Sequence, residues 1–146
     1  MTNPNTPKAS EEIFVNGVSF THGEMFVVVD DFYTRVQTDP LLKVPFQSVH
    51  DWPEHIDRIT HFWWARLGGK PYMFTEYNPV VKHFFAGFNA TFLARWLELF
   101  HETLQCHLNP DQVNLWTMIT QRMGQGLSMK NEYFRQHYER ENNTIK

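Results

Sequence analysis

The sequence predicts an all-α protein, with about five helices crossing one another around a single core, and three observations carry that prediction. Two segments, Thr21-His22-Gly23-Glu24 and Asp51-Trp52-Pro53-Glu54, have the spacing of a capping box, in which a side-chain oxygen meets the first free N–H groups and a Glu follows three positions later. Behind each, apolar residues return every three or four positions, the period of a helix with one buried face. No stretch alternates with period two for long enough to argue a sheet, and there is no internal repeat.

The elements follow in order. Residues 1–20 carry prolines, asparagines and a charge pair. They read as an N-terminal arm docked, if at all, by Ile13, Phe14, Val18 and Phe20 near its end. A domain over 21–138 follows, and 139–146 form a polar C-terminal tail. The first helix spans about 22–37, with Met25, Val28, Val29, Phe32, Tyr33 and Val36 on one face. Asp39-Pro40 starts a short turn carrying Leu41 and Leu42 into Pro45-Phe46. The second helix places His55, Ile56, Ile59, Phe62, Trp63 and Arg66 on one side until Gly68-Gly69 ends it. Asn78-Pro79 then opens a short helix bearing His83 that ends near Gly87. Asn89 caps a fourth helix with a broad stripe of Phe92, Leu93, Trp96, Leu99, Phe100, Thr103 and Leu104. After Asn109-Pro110 a last helix carries Val113, Trp116, Met123 and Leu127, with Gly124 and Gly126 as weak points.

Composition bounds the function. A chain of 146 residues suits one domain with a proper core. Sixteen acidic residues against thirteen Lys and Arg give a net charge of −3, without a basic run, which excludes a nucleic-acid footprint. The polar start and short apolar stretches argue against a signal peptide or membrane span, so a cytoplasmic protein is expected. The one cysteine, Cys106, cannot close an intrachain disulfide and is expected as a small buried hydrophobe. Thirteen Phe, five Tyr and five Trp would fill a helical core or line a pocket for a large flat ligand.

Four residues on four predicted helices stand out: Tyr33, His55, His83 and Trp96. One turn after its cap, His83 can donate from Nδ1 to the Pro79 carbonyl, which fixes the tautomer and leaves Nε2 free for a metal. Each of the four also has an ordinary reading when taken singly, as a core aromatic, a satisfied core histidine or a solvated residue at a helix start. His22, His50, His61, His101, His107 and His137 lack a consistent ligand spacing and are expected at the surface or rim.

The order and local wording of these residues matter more than their types. Phe32-Tyr33 precedes Arg35, Phe46 follows a Pro, Trp52-Pro53-Glu54-His55 leads to Phe62-Trp63, and Arg95-Trp96-Leu97-Glu98-Leu99-Phe100 heads the fourth helix. In this the chain resembles the truncated haemoglobins, and within them the third group, over roughly residues 22–130. The resemblance implies a 2-over-2 helical sandwich around haem b, with His83 as the iron ligand and Phe46 stacking on the haem. It implies a distal side of Tyr33, His55 and Trp96, with His55 acting there as a gate. Phe32, Ile59, Trp63 and Phe92 would contact the cofactor, and Arg58 would neutralise a propionate. The chain departs from the family pattern in its long N-terminal arm, a short link between Phe46 and His55, and a longer connection before His83.

Such a protein would bind oxygen, nitric oxide or carbon monoxide as a monomer or weak homodimer. A phenol and an indole donating to one small ligand would slow its release, which argues against simple oxygen delivery, although oxygen binding and transport remain among the family's expected roles. Ligand capture remains, as does dioxygenase or peroxidase-like chemistry fed by a separate reductase. Two alternatives stay open. Glu98-Leu99-Phe100-His101 has the Glu-x-x-His spacing of a helical di-iron protein, although the chain has no second such pair. A haem-free globin-fold sensor would need neither His83 nor the polar distal residues.

Overall fold

The computed structural model describes residues 4–73 and 89–126. Its first helix, α1 (His22–Thr38), starts on a complete capping box: Thr21 Oγ1 accepts from the Glu24 amide at 3.0 Å, and Glu24 Oε1 accepts from the Thr21 amide at 2.9 Å. Two otherwise unpaired amides are thereby satisfied. In α2 (Trp52–Arg66), Asp51 Oδ1 accepts from the Glu54 amide and Pro53 lies in the first turn, where its missing N–H costs nothing. α3 (Ala90–His107) is capped by Asn89, which accepts from the Phe92 amide. A fourth helix, α4 (residues 110–126), opens on a second reciprocal box between Asn109 and Gln112. These agree with four of the five expected helices. The short helix expected to carry His83 lies outside the described residues.

The expectation of no sheet needs correction. Residues Glu12–Val15 (β1) and Val18–Thr21 (β2) pair antiparallel, with Ile13 opposite Phe20 and Val15 opposite Val18. Asn16 and Gly17 both take positive φ, 49° and 81°, the two-residue turn that Asn-Gly favours because its twist matches that of the strands. Strands of four residues are too short to announce themselves by alternation. The arm's end is docked: Phe20 is fully buried edge-on against Trp116, and Gln112 Nε2 donates to the Ser19 carbonyl at 2.8 Å.

α1 packs against both α2 and α3. The interior is a run of aromatic rings: Trp116 meets Trp63 and Phe100, Phe100 stacks on Trp96, and Phe32 meets both Phe100 and Trp96 edge-on at 5.0 Å. Each fully buried side chain of this kind contributes about 1.5–3 kcal/mol. α2 stops at Gly68, whose φ of +106° disfavours a side chain, and a Cβ on Gly69 would collide with the Trp64 indole. Among the described residues no helix is long and apolar enough to cross a membrane.

Two histidines expected at the surface hold the chain where it leaves α2. His22 is only 7 % exposed, packed edge-on against Trp64 and Tyr72, and its Nε2 lies 2.7 Å from the Tyr72 hydroxyl. Burial pushes the Tyr72 pKa up to about 12, so the phenol keeps its proton and donates to a neutral imidazole. Half-buried His61 accepts at Nε2 from the Tyr72 and Met73 amides, at 3.2 and 3.3 Å. Nothing in the local sequence distinguishes these histidines from solvated ones, because their partners lie 50 and 11 residues away.

Burial lowers both histidine pKa values below 6.5. The unfolded chain therefore binds more protons than the folded one just below that value, and acidification favours unfolding. The contribution is complete above pH 6.5 and is lost as pH falls toward the depressed folded values. Thermal melts taken from neutral pH downward should show a falling midpoint in this window, and His61→Ala should flatten the fall. An unaltered slope in that variant would exclude His61 as the source.

Candidate functional site

Consecutive residues on a helix point about 100° apart, so Phe32 and Tyr33 serve two surroundings from one position on α1. Phe32 enters the core beneath Trp96 and Phe100. Tyr33, 5 % exposed, turns toward the corner and α2, where its ring lies 5.7 Å from Phe46, 5.9 Å from Trp52 and 5.0 Å from His55. The His55 ring stands perpendicular to that of Tyr33 and also meets Trp52 and Phe46. It points inward, the orientation that its place near a helix start left undecided. Tyr33, Phe46 and His55 are thus brought together, and Trp96 joins them through Phe32, 4.9 Å from the Tyr33 ring.

Trp96 lies flat on Phe100, with centroids 4.8 Å apart and planes 9° from parallel. Its Nε1 is buried without an acceptor among the described residues. Trp64 and Trp116 share this property deeper in the core. Trp96 differs in neighbouring the Tyr33 group. A buried N–H without a partner costs about 1–3 kcal/mol, and an acceptor placed against it would recover that. Of the other residues expected at the cofactor, Ile59 and Trp63 are buried and Phe92 is half-buried on the first turn of α3. Trp63 also stacks on Phe100 and so belongs to the aromatic core. Arg58 is half-buried, its only ion pair among the described residues being with exposed Glu54 at 3.9 Å, and its Nε is buried without an acceptor. His83 lies outside the described residues, so its position relative to this group is not part of the geometry.

What the sequence reading missed is the pair that holds these elements together. Asp39, 8 % exposed at the end of α1, accepts from Arg95 Nε at 2.9 Å and Nη2 at 2.7 Å through Oδ1, and from the Leu41 and Leu42 amides through Oδ2. The Arg95 hydrogen bonds hold its carboxyl below the usual carboxylate range. Asp before Pro was legible as a turn signal and Arg95 as part of a motif. Their mutual contact, 56 residues apart, was not.

Other titratable groups have ordinary roles. His101 Nδ1 lies 3.0 Å from Thr117 Oγ1, and Glu98 pairs with Arg95. The two residues of the Glu-x-x-His pair thus have partners on other side chains, and among the described residues no group of three His, Cys, Asp or Glu could hold a metal ion. His107 meets Asp31, which also holds Arg35. Cys106 is exposed, contrary to expectation, with its sulfur 3.4 Å from Arg35 Nη2. It falls on the polar side of α3, away from the stripe that packs inward.

Residues 21–125 match the family model described as bacterial-like globin. The fold is similar to that in a crystal structure of group III truncated hemoglobin from Campylobacter jejuni. The two chains are 25% identical with a TM-score of 0.66, over 75% of this chain and 89% of that one. No curated protein sequence is significantly similar to the chain.

Loss of the Asp39 carboxylate should loosen every element around Tyr33. Asp39→Ala strands Arg95 and two amides and is expected to cost about 2–4 kcal/mol, part of the Arg95 charge being solvated. Asp39→Asn keeps an acceptor for the turn and should cost less. Urea unfolding measures both, and equal stability of Asp39→Ala and the parent would show the pair to be ornamental.

Proposed function

Because the chain belongs to the bacterial-like globins and has the fold of a group III truncated haemoglobin, we propose that it binds haem b through His83 and retains a diatomic ligand beneath Tyr33, His55 and Trp96. The observation that carries this reading is the buried Trp96 Nε1, a donor without an acceptor among the described residues, one ring (Phe32) away from a buried phenol that meets an inward-facing imidazole. When bound, haem would supply an iron that takes oxygen, nitric oxide or carbon monoxide. The chain supplies the rest. Phe46, Ile59 and Phe92 would contact the haem, as would Phe32 and Trp63 from the aromatic core they share with Phe100. Arg58, with Nε unpaired among the described residues, offers its guanidinium to a propionate. Tyr33 O–H and Trp96 N–H donate to the ligand in surroundings that exclude water, where a hydrogen bond is stronger than in solvent.

Two such donors retain a ligand better than they release it. The role that fits is therefore capture or redox detoxification of nitric oxide or a peroxide in the cytoplasm, with electrons from a separate reductase, and not oxygen delivery. His55, touching Tyr33, Phe46 and Trp52, controls access to the ligand side.

His83→Ala should abolish stable haem retention or leave a form that added imidazole restores. An unchanged haem content and absorption spectrum would overturn the assignment. Tyr33→Phe and Trp96→Phe should each speed oxygen dissociation, about tenfold for each 1.4 kcal/mol of lost hydrogen bonding. If neither rate moves, both side chains are packing residues. As a gate, His55 should act on entry and exit alike, so His55→Ala should raise carbon monoxide association and dissociation by one factor. Unchanged carbon monoxide association with faster oxygen dissociation would make His55 a direct donor to the ligand.

A further inference from the structure

The corner between α1 and α2 holds a groove of about 350 Å³ lined by Val44, Phe46, Val49 and Trp52 together with the polar Gln37, Lys43 and Gln47. At its outer edge Val44 is 48 % exposed. Its inner side is formed by Phe46 and Trp52, both half-buried. These same two rings face inward onto Tyr33, at 5.7 and 5.9 Å, and onto His55, at 6.4 and 5.4 Å. Between a solvent-facing groove and the proposed ligand-binding residues there is thus one layer of aromatic rings.

That layer is held loosely at one place. The Asp39 carboxylate pins the corner at Leu41 and Leu42, but beyond it the turn carries single backbone bonds, Gln47 amide to Val44 carbonyl at 3.3 Å and Val49 amide to Phe46 carbonyl at 3.2 Å. Trp52 is the first residue of α2, so no preceding helical turn confines its side chain, and among the described residues its ring meets Tyr33 and His55. Phe46, by contrast, is expected to carry the cofactor and is less free to turn.

We propose that this groove is the entry route for the diatomic ligand and that Trp52 sets the rate of passage. The proposal rests on the functional reading above and adds a route and a residue to it. Gln37, Lys43 and Gln47 keep the groove itself hydrated, so the discriminating barrier is the inner aromatic layer of Phe46 and Trp52, which a small apolar gas crosses more readily than an ion that must shed its water. A residue that only forms a barrier acts on entry and exit alike: it changes association and dissociation by one factor and leaves their ratio, the affinity, unchanged. A donor to the bound ligand changes the ratio.

Carbon monoxide is the suitable probe, since it accepts hydrogen bonds poorly. In the haem-loaded protein, association is followed after flash photolysis and dissociation by displacement. Trp52→Ala should raise both rates by roughly tenfold, as a barrier lowered by about 1.4 kcal/mol would give. Val44→Trp, at an exposed position that touches neither Tyr33 nor His55 in any ring contact, should fill the groove and lower both. In crystals of the parent protein under xenon, a xenon atom should lie between Val44 and Trp52, and Val44→Trp should remove it. Rates unchanged in both variants while carbon monoxide still binds would overturn the route, as would altered affinity in Val44→Trp. A protein that takes up no haem would overturn the functional reading first, and this one with it.

Discussion

The Asp39–Arg95 pair is the constraint on which the arrangement of the candidate site depends. One carboxylate receives a fork of two N–H groups from α3 and two amides from the corner, while its own backbone ends α1. Tyr33 stands on the helix that Asp39 terminates, Phe46 on the corner that it starts, and Trp96 beside its partner. A carboxylate accepts such donors in fixed directions, whereas hydrophobic contact alone tolerates sliding. The pair therefore sets the register of three elements that apolar packing would leave adjustable.

Upon that register the aromatic interior divides its labour. Phe20, Trp116, Trp63, Phe100 and Phe32 interlock edge to face or stacked and supply burial with little need for polar partners. Tyr33, His55 and Trp96 sit at the margin of this interior and bring polar atoms into it. The Trp96 N–H, buried without an acceptor among the described residues, lowers stability by itself, a cost that a ligand accepting from it would offset under the proposed function. On the far side of α2 the His22–Tyr72–His61 group does the opposite: its donors and acceptors satisfy one another, and it serves to hold the outgoing chain.

The local chemistry of the sequence determined a good deal by itself. Thr21, Asp51, Asn89 and Asn109 begin helices because each can satisfy an exposed amide within three residues of itself, a decision that no distant residue needs to support. The apolar stripes then fix which faces go inward. This is why Tyr33 and Trp96 could be placed on inward faces, whereas it was the resemblance to a family that set His55 and Phe46 beside them. The Asn16-Gly17 turn was equally local and was legible in principle, though strands of four residues gave no periodic signal to go with it. The position of His83 remains an expectation from sequence and resemblance.

Tertiary structure alone decided what depends on partners far apart in the chain. His55 could have faced solvent from its place near a helix start, and only the approach of Tyr33 from α1 and Phe46 from the corner makes its surroundings aromatic. His22 is buried because Trp64 and Tyr72 fold over it, while Cys106 is exposed because the opposite side of α3 faces the core. Asp39 and Arg95 each read as ordinary charged residues until folding closes the 56 positions between them. The reason is one of range: capping and periodicity are settled within a few residues, whereas the burial or pairing of a polar side chain is settled by whichever distant element arrives beside it.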